Sequence, residues 1–224
     1  VQNRFSKVLF ALLLTGSACT LFAQSYDTTK LWSVHLGVSI PAGDFGRTAI
    51  APSSSGFANT GFSFSVDTRS HLYSWVNGLT TLGFAKNTLN TSKYQHSLTT
   101  GLFAQNNVSA KGYTSLWLLY GPEVRTDWED FDFSCSVQAG VIISSMPEIN
   151  IQSDTNALNI SAPFAPGLAY AASAGVRYDD YELTLRYMYG APTYRITYLL
   201  NTETLENKVF MPTVLFQISL GYYF

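Results

Sequence analysis

Met211-Pro212-Thr213-Val214-Leu215-Phe216-Gln217-Ile218-Ser219-Leu220-Gly221-Tyr222-Tyr223-Phe224 carries the pattern that decides the fold. From Val214 onward every second residue is large and apolar: Val214, Phe216, Ile218, Leu220, Tyr222 and Phe224. That is the two-residue period of a strand with one face against an apolar environment. The intervening Leu215, Gln217, Ser219, Gly221 and Tyr223 are mixed and mostly small or polar, and the stretch ends on an aromatic with no charged tail.

The same period recurs upstream. Trp32 to Pro41 sets Trp32, Val34, Leu36, Val38 and Ile40 against Ser33, His35, Gly37 and Ser39, before the turn residues Ala42-Gly43-Asp44-Phe45-Gly46. A second strand is expected over Phe57 to Arg69, with Phe62, Phe64 and Val66 alternating against Ser63, Ser65 and Asp67. After a short break at Ser70-His71, a third spans roughly Tyr73 to Ala85, its register blurred by Leu79 and Thr80-Thr81. Tyr113 to Arg125 is the fourth. Leu116-Trp117-Leu118-Leu119 leaves its facing ambiguous, and the phase that hides Glu123 and Arg125 is preferred because an arginine facing lipid costs up to about 2–4 kcal/mol at mid-depth.

The fifth strand sets Phe131, Phe133, Cys135, Val137, Ala139, Val141 and Ile143 against Asp132, Ser134, Ser136, Gln138 and Gly140. The sixth sets Leu168, Tyr170, Ala172, Ala174, Val176 and Tyr178 against Ala169, Ala171, Ser173, Gly175 and Arg177. The seventh sets Tyr181, Leu183, Leu185, Tyr187 and Tyr189 against Glu182, Thr184, Arg186 and Met188. With the final stretch this makes eight strands. Their connections alternate long (Ala42 to Gly56, Lys86 to Gly112, Ser145 to Pro166, Ala191 to Phe210) and short (Ser70-His71, Thr126 to Asp130, Asp179-Asp180). The Lys86 to Gly112 stretch leaves open an extra hairpin near Leu98 to Gln105, and the apolar Ile196, Tyr198, Leu199 and Leu200 suggest that the last two strands extend as a protruding hairpin.

Composition decides what the apolar face meets. Charged residues make up 12% of the chain, about half the roughly 25% usual for soluble domains, while hydrophobic content is 46%. Alternation alone fits a soluble can with its apolar face inward, but the polar face of such a can would be its surface and rich in Lys and Glu. Here that face is Gly, Ser, Ala and Thr with four acids, Asp67, Glu123, Asp132 and Glu182, and four arginines, Arg69, Arg125, Arg177 and Arg186. Equal numbers of opposite charges suit a narrow interior in which each charge finds a partner, since an unpaired buried charge is costly. Trp32, Trp128, Phe131, Tyr178, Tyr181, Tyr222 and Phe224 all fall at the strand ends joined by short turns, as a girdle at a lipid–water boundary requires.

The N-terminus reads as an export signal: Arg4 and Lys7, an apolar run from Val8 to Leu14, and small Ala23 before the expected cleavage, so that residues 1–24 are removed and 25–224 form one barrel domain. Cys19 lies in the exported segment without the leucine usual three residues before a lipidated cysteine. Cys135 alone remains, an apolar filler at an outward position. Loss of Arg4 and Lys7 leaves a formal charge of −4, which sets nucleic acid aside.

An alternating terminal strand ending on phenylalanine resembles the last strand of bacterial outer-membrane β-barrel proteins, and Leu36-Gly37-Val38-Ser39-Ile40-Pro41-Ala42-Gly43-Asp44-Phe45-Gly46 resembles the first strand and loop of the small ones. The whole pattern is similar to the eight-stranded barrels of the OmpA and OmpX type. The resemblance implies a closed, antiparallel, all-β transmembrane barrel in the outer membrane, monomeric, with short periplasmic turns and long extracellular loops. It also implies that Leu220, Tyr222 and Phe224 form the signal read by the assembly machinery.

The chemistry expected of such a chain is sparse. His35 on the polar face is read as hydrogen-bonded within a packed interior, while His71 in a turn and His96 in a loop have no nucleophile at a recognisable spacing. No metal constellation, phosphate loop or cofactor motif stands out. The expected function is therefore non-enzymatic, structural or adhesive, exerted through the long loops on an extracellular protein or surface ligand. A narrow pore for small or hydrophobic compounds and an outer-membrane lipid-modifying enzyme are the alternatives.

Overall fold

In the computed structural model the described residues are 32–48, 55–73, 76–97, 107–152, 157–200 and 203–224. The expected signal segment and the possible Leu98–Gln105 hairpin lie outside them. Twelve strands form: β1 (Trp32–Pro41), β2 (Gly61–Tyr73), β3 (Val76–Asn87), β4 (Asn107–Ala110), β5 (Tyr113–Trp128), β6 (Phe131–Ser145), β7 (Ile149–Gln152), β8 (Ala157–Ser161), β9 (Ala165–Tyr178), β10 (Tyr181–Leu200), β11 (Glu203–Phe210) and β12 (Thr213–Tyr223). Two short helices, α1 (Gly43–Gly46) and α2 (Thr91–Ser97), sit in the connections.

Eight of the strands close a ring, β12-β1-β2-β3-β5-β6-β9-β10, with β10 pairing back onto β12 and every pair antiparallel. Passing from Trp32 through its successive partners Thr68, Thr80, Tyr120, Ala139, Tyr170, Tyr189 and Val214 leads back to β1 at Ala42, ten residues beyond the start, where the Ala42 amide donates to the Val214 carbonyl at 3.0 Å. That stagger tilts the strands, and eight of them enclose a space that side chains can fill. Closure satisfies the β1 and β12 backbones against each other, so the ring has no edge.

The alternation sets the faces as expected. Leu36, Phe64, Val137, Leu168, Leu185 and Ile218 point outward and are exposed, whereas Ser39, Ser65, Thr81, Gln138, Thr184 and Gln217 are buried inside. In β5 the inward phase does carry Glu123, together with Trp117 and Leu119, while Tyr120 and Val124 face out. Cys135 is an exposed, outward residue. At one end β5–β6 and β9–β10 are joined by two-residue turns, Glu129-Asp130 and Asp179-Asp180, with Glu129 (φ 56°) and Asp179 (φ 54°) left-handed.

Several boundaries differ from the sequence reading. β2 begins at Gly61 rather than Phe57, because Phe57 and Ala58 are buried in the loop core, where Phe57 meets the Tyr94 ring edge-on at 5.4 Å. The same strand runs on through Ser70 and His71 to Tyr73, so His71 pairs with Asn77 instead of occupying a turn, and β3 starts at Val76. His96 belongs to α2 and not to a loop. The long connections also carry structure of their own. β4, β7 and β8 form a second sheet against the upper part of β10, in the order β11-β10-β8-β7-β4. β10 is twenty residues long and belongs to both sheets. Its upper half pairs with β11 from Thr193↔Phe210 to Leu200↔Glu203, the protruding hairpin anticipated from the apolar Ile196 to Leu200.

The interior divides at mid-height. Its lower half is polar and charged, but its upper half is an apolar core of Trp117, Leu119, Ile142, Ala169, Met188 and Leu215, continued upward by Phe45, Tyr113, Tyr194, Ile196, Ile149 and Ile151. This corrects the expectation of an inner face made only of small and ion-paired residues. Phe45 on α1 folds back over the mouth and meets the Tyr113 ring edge-on at 4.8 Å; Tyr113 in turn donates to the Gly56 carbonyl at 2.5 Å. Gly83 is the slot for Trp117, since a Cβ at that position would run into the indole.

Candidate functional site

The lower interior gathers side chains from seven strands of the ring. Arg69 on β2 donates through Nε to Glu123 Oε2 on β5 at 3.0 Å, and its Nη2 lies 3.5 Å from Glu182 Oε2 on β10. Arg125, two residues along β5 and hence on the same face, donates Nε to Glu123 Oε2 at 2.9 Å. Arg186 on β10 donates to Asp67 Oδ2 at 3.0 Å and to the Ser65 hydroxyl at 3.3 Å. Arg177 on β9 pairs with Asp132 on β6, nearer the end closed by the short turns and partly exposed. All eight charged residues singled out in the sequence thus lie in this half, each within ion-pair distance of an opposite charge.

Three further residues tie the cluster together. Tyr223 on β12 donates its hydroxyl to Glu182 Oε2 at 2.7 Å and accepts from Arg125. Its ring lies 4.7, 5.3 and 4.9 Å from the guanidinium carbons of Arg69, Arg125 and Arg177, a cation–π geometry with three partners. Ser134 donates to Glu182 Oε1 at 3.0 Å. Ser33 accepts from Arg69 Nη1 at 2.8 Å, and its hydroxyl lies within hydrogen-bond distance of His35 Nε2 at 2.9 Å. Tyr223 was legible only as an interior-facing tyrosine; nothing in the sequence marked it as the centre of three arginines, which the ring closure alone produces.

His35 sits 3.5 Å from Asp67 and 3.8 Å from Glu182, and both carboxylates approach the same Nε2 that faces Ser33. A nucleophile-activating relay needs the acid on the opposite ring nitrogen; here Nδ1 has no partner. Four acids against four arginines balance without a charge on His35. Among the described residues no group of three or more His, Cys, Asp or Glu side chains is placed to hold a metal ion.

Tyr223→Phe keeps the ring among the guanidiniums and removes the hydroxyl between Arg125 and Glu182. It should lower stability by about 1–3 kcal/mol, the cost of leaving buried polar partners unsatisfied. Urea unfolding in lipid vesicles, followed by the gel shift between folded and unfolded forms, measures it.

No protein-family profile and no curated protein sequence matches the chain. Solved structures do. The outer membrane protein OprG from Pseudomonas aeruginosa aligns with a TM-score of 0.54 at 10% identity, over 88% of this chain and 96% of that one. Neisserial surface protein A (0.44, 9% identity) and Ail, the attachment invasion locus protein of Yersinia pestis, solved with the heparin analogue sucrose octasulfate (0.42, 12%), each align over 88% of this chain and 100% of theirs. The ring of eight antiparallel strands, the outward apolar face and the likeness to OprG establish that this chain has the fold of a small outer-membrane β-barrel.

Proposed function

We propose that the chain is an integral outer-membrane protein whose work is structural or adhesive and is done on its extracellular side, by the β11-β10-β8-β7-β4 sheet and the loops around it. The observation that carries this reading is the filled interior: a neutral, ion-paired lower half and, above it, Trp117, Leu119, Ile142, Met188 and Leu215 beneath Phe45. A barrel packed in this way offers an inner surface to nothing, so its interactions fall to the outer one.

The membrane setting is supported by the outward band. From Tyr181 to Ala191 on β10, ten residues at about 3.3 Å each and a tilt near 40° span about 25 Å, the height of a barrel's apolar belt. Leu220 and Tyr222 on β12 and Phe224 just beyond it are exposed, available to assembly machinery during insertion.

The test has three arms. The purified protein should migrate differently on a denaturing gel before and after boiling. It should give no steady ohmic steps in a planar bilayer, whereas a regular conductance would replace this reading with the pore. Cells lacking the chain should show altered envelope permeability or surface attachment, restored by the full protein but not by a form whose residues 147–163 are replaced by a short Gly-Ser turn. Unchanged permeability and attachment would overturn the proposal. His35→Asn should leave the lipid A mass spectrum unchanged, since His35 is buried and its geometry lacks a relay.

A further inference from the structure

The outward face of β10 and its neighbours changes character over a short climb. The stacked Tyr170 and Tyr189 rings (centroids 5.0 Å apart, 13° between planes) are followed upward by Leu168 and Ala191, then by Thr193 opposite Phe210. One step higher, Arg195 on β10 stands directly opposite Lys208 on β11, both exposed. Glu206, opposite Thr197, is the next residue up on the same face.

Two like charges directly opposite on a ladder repel each other. Within the described residues neither Arg195 nor Lys208 makes an ion pair with a carboxylate, Glu206 included. The pair therefore fits an anion between its heads. Its height selects the source: four residues above Ala191 on a strand tilted near 40° puts the backbone about 10 Å above the apolar belt, from which long Arg and Lys side chains reach down to a headgroup layer extending about 5–7 Å beyond the hydrocarbon. Beneath it Phe210, 54% exposed, presents an apolar ring to the same visitor. Ring below and two cations above match an amphiphile, whereas a free anion would use only the upper part.

We infer that Arg195 and Lys208, with Phe210 below them, form a docking site for the phosphate headgroup of an outer-leaflet lipid with net negative charge. The site fixes the boundary between the barrel and the protruding hairpin at the height of the membrane surface. This rests on the outer-membrane reading given above.

Native mass spectrometry of the detergent-solubilised, folded protein tests it, with phosphatidic acid, phosphatidylcholine and inorganic phosphate as probes. Wild type should retain phosphatidic acid about thirtyfold more tightly than the R195Q/K208Q double variant, roughly fivefold for each cation near a charged surface. K86Q, which removes an exposed lysine elsewhere on the upper barrel, should bind as wild type does. Equal binding by wild type and the double variant, or no preference for phosphatidic acid over phosphatidylcholine, would overturn the inference. So would inorganic phosphate at equal concentration displacing the lipid, which would make this a soluble-anion site. Boiling-dependent gel mobility keeps the two levels apart: a variant that still shows the shift is a folded barrel, so loss of lipid retention then belongs to the site, and absence of the shift in wild type would instead fault the barrel reading.

Discussion

Replacing Arg69 with methionine should destabilise the folded barrel by about 3–5 kcal/mol, the range for breaking a buried ion pair from one side. Arg69 is 7% exposed, and its guanidinium meets Glu123, Glu182, Ser33 and the Tyr223 ring. Methionine fills most of the volume but leaves the lower interior with four carboxylates and three arginines, so a negative charge must be held without a partner or neutralised by a proton. The second expected result follows from that. Pairing R69M with E123Q restores the balance of charge and should recover a large part of the loss, whereas E123Q alone should destabilise in its own right. Urea midpoints in vesicles for the two single variants and the double variant form a cycle; strict additivity would show that the pair is not a unit.

Trp117→Ala should cost about 3–5 kcal/mol, as truncation of a fully buried large aromatic does. The indole is 1% exposed, lies in the slot left by Gly83 and belongs to the apolar half of the interior. Its neighbours come from several strands of a closed ring, so the walls have little freedom to collapse into the space. The same unfolding assay reads the loss. The polar half below would be untouched, so Trp117→Ala and Arg69→Met should add within about 0.5 kcal/mol, a check that the two halves of the interior are energetically separate.

The ring was legible because its signal is repeated eight times. Each strand from Trp32 to Phe224 alternates, and a lapse in one, such as Leu79-Thr80-Thr81, is outvoted by its neighbours. The ambiguity at Leu116-Trp117-Leu118-Leu119 has a physical cause that the fold reveals. There the inner face stops being polar, because Trp117 and Leu119 enter the apolar core while Leu116 and Leu118 face out, so both faces are apolar and the period vanishes. Glu123 and Arg125, lower on the same strand, still carried the phase. The second sheet was harder to read: β4 and β7 are four residues each, too short for a period to stand out, and the burial of Ile149, Ile151 and Ile160 depends on a partner surface made by β10 and the barrel mouth. Phe45 is the same case, a lone aromatic in turn-forming sequence that only the closed ring places over the mouth. Of the lower interior, the charged members could be enumerated from alternation, but which acid meets which arginine depends on the ten-residue stagger, and that is a property of closure.

Tyr223 on β12, Glu182 on β10 and His35 on β1 come together only where the last strand meets both the first and the seventh strand of the ring. Until the seam between β1 and β12 zips, the concave surface of the curling sheet displays Arg69 and Arg125 without the tyrosine they share, and water must serve in its place. A half-rolled chain is thus anchored to the aqueous side by its own unmet polar groups. Mutual neutralisation on rolling up removes that tether, so entry into hydrocarbon and completion of the cylinder become one cooperative event.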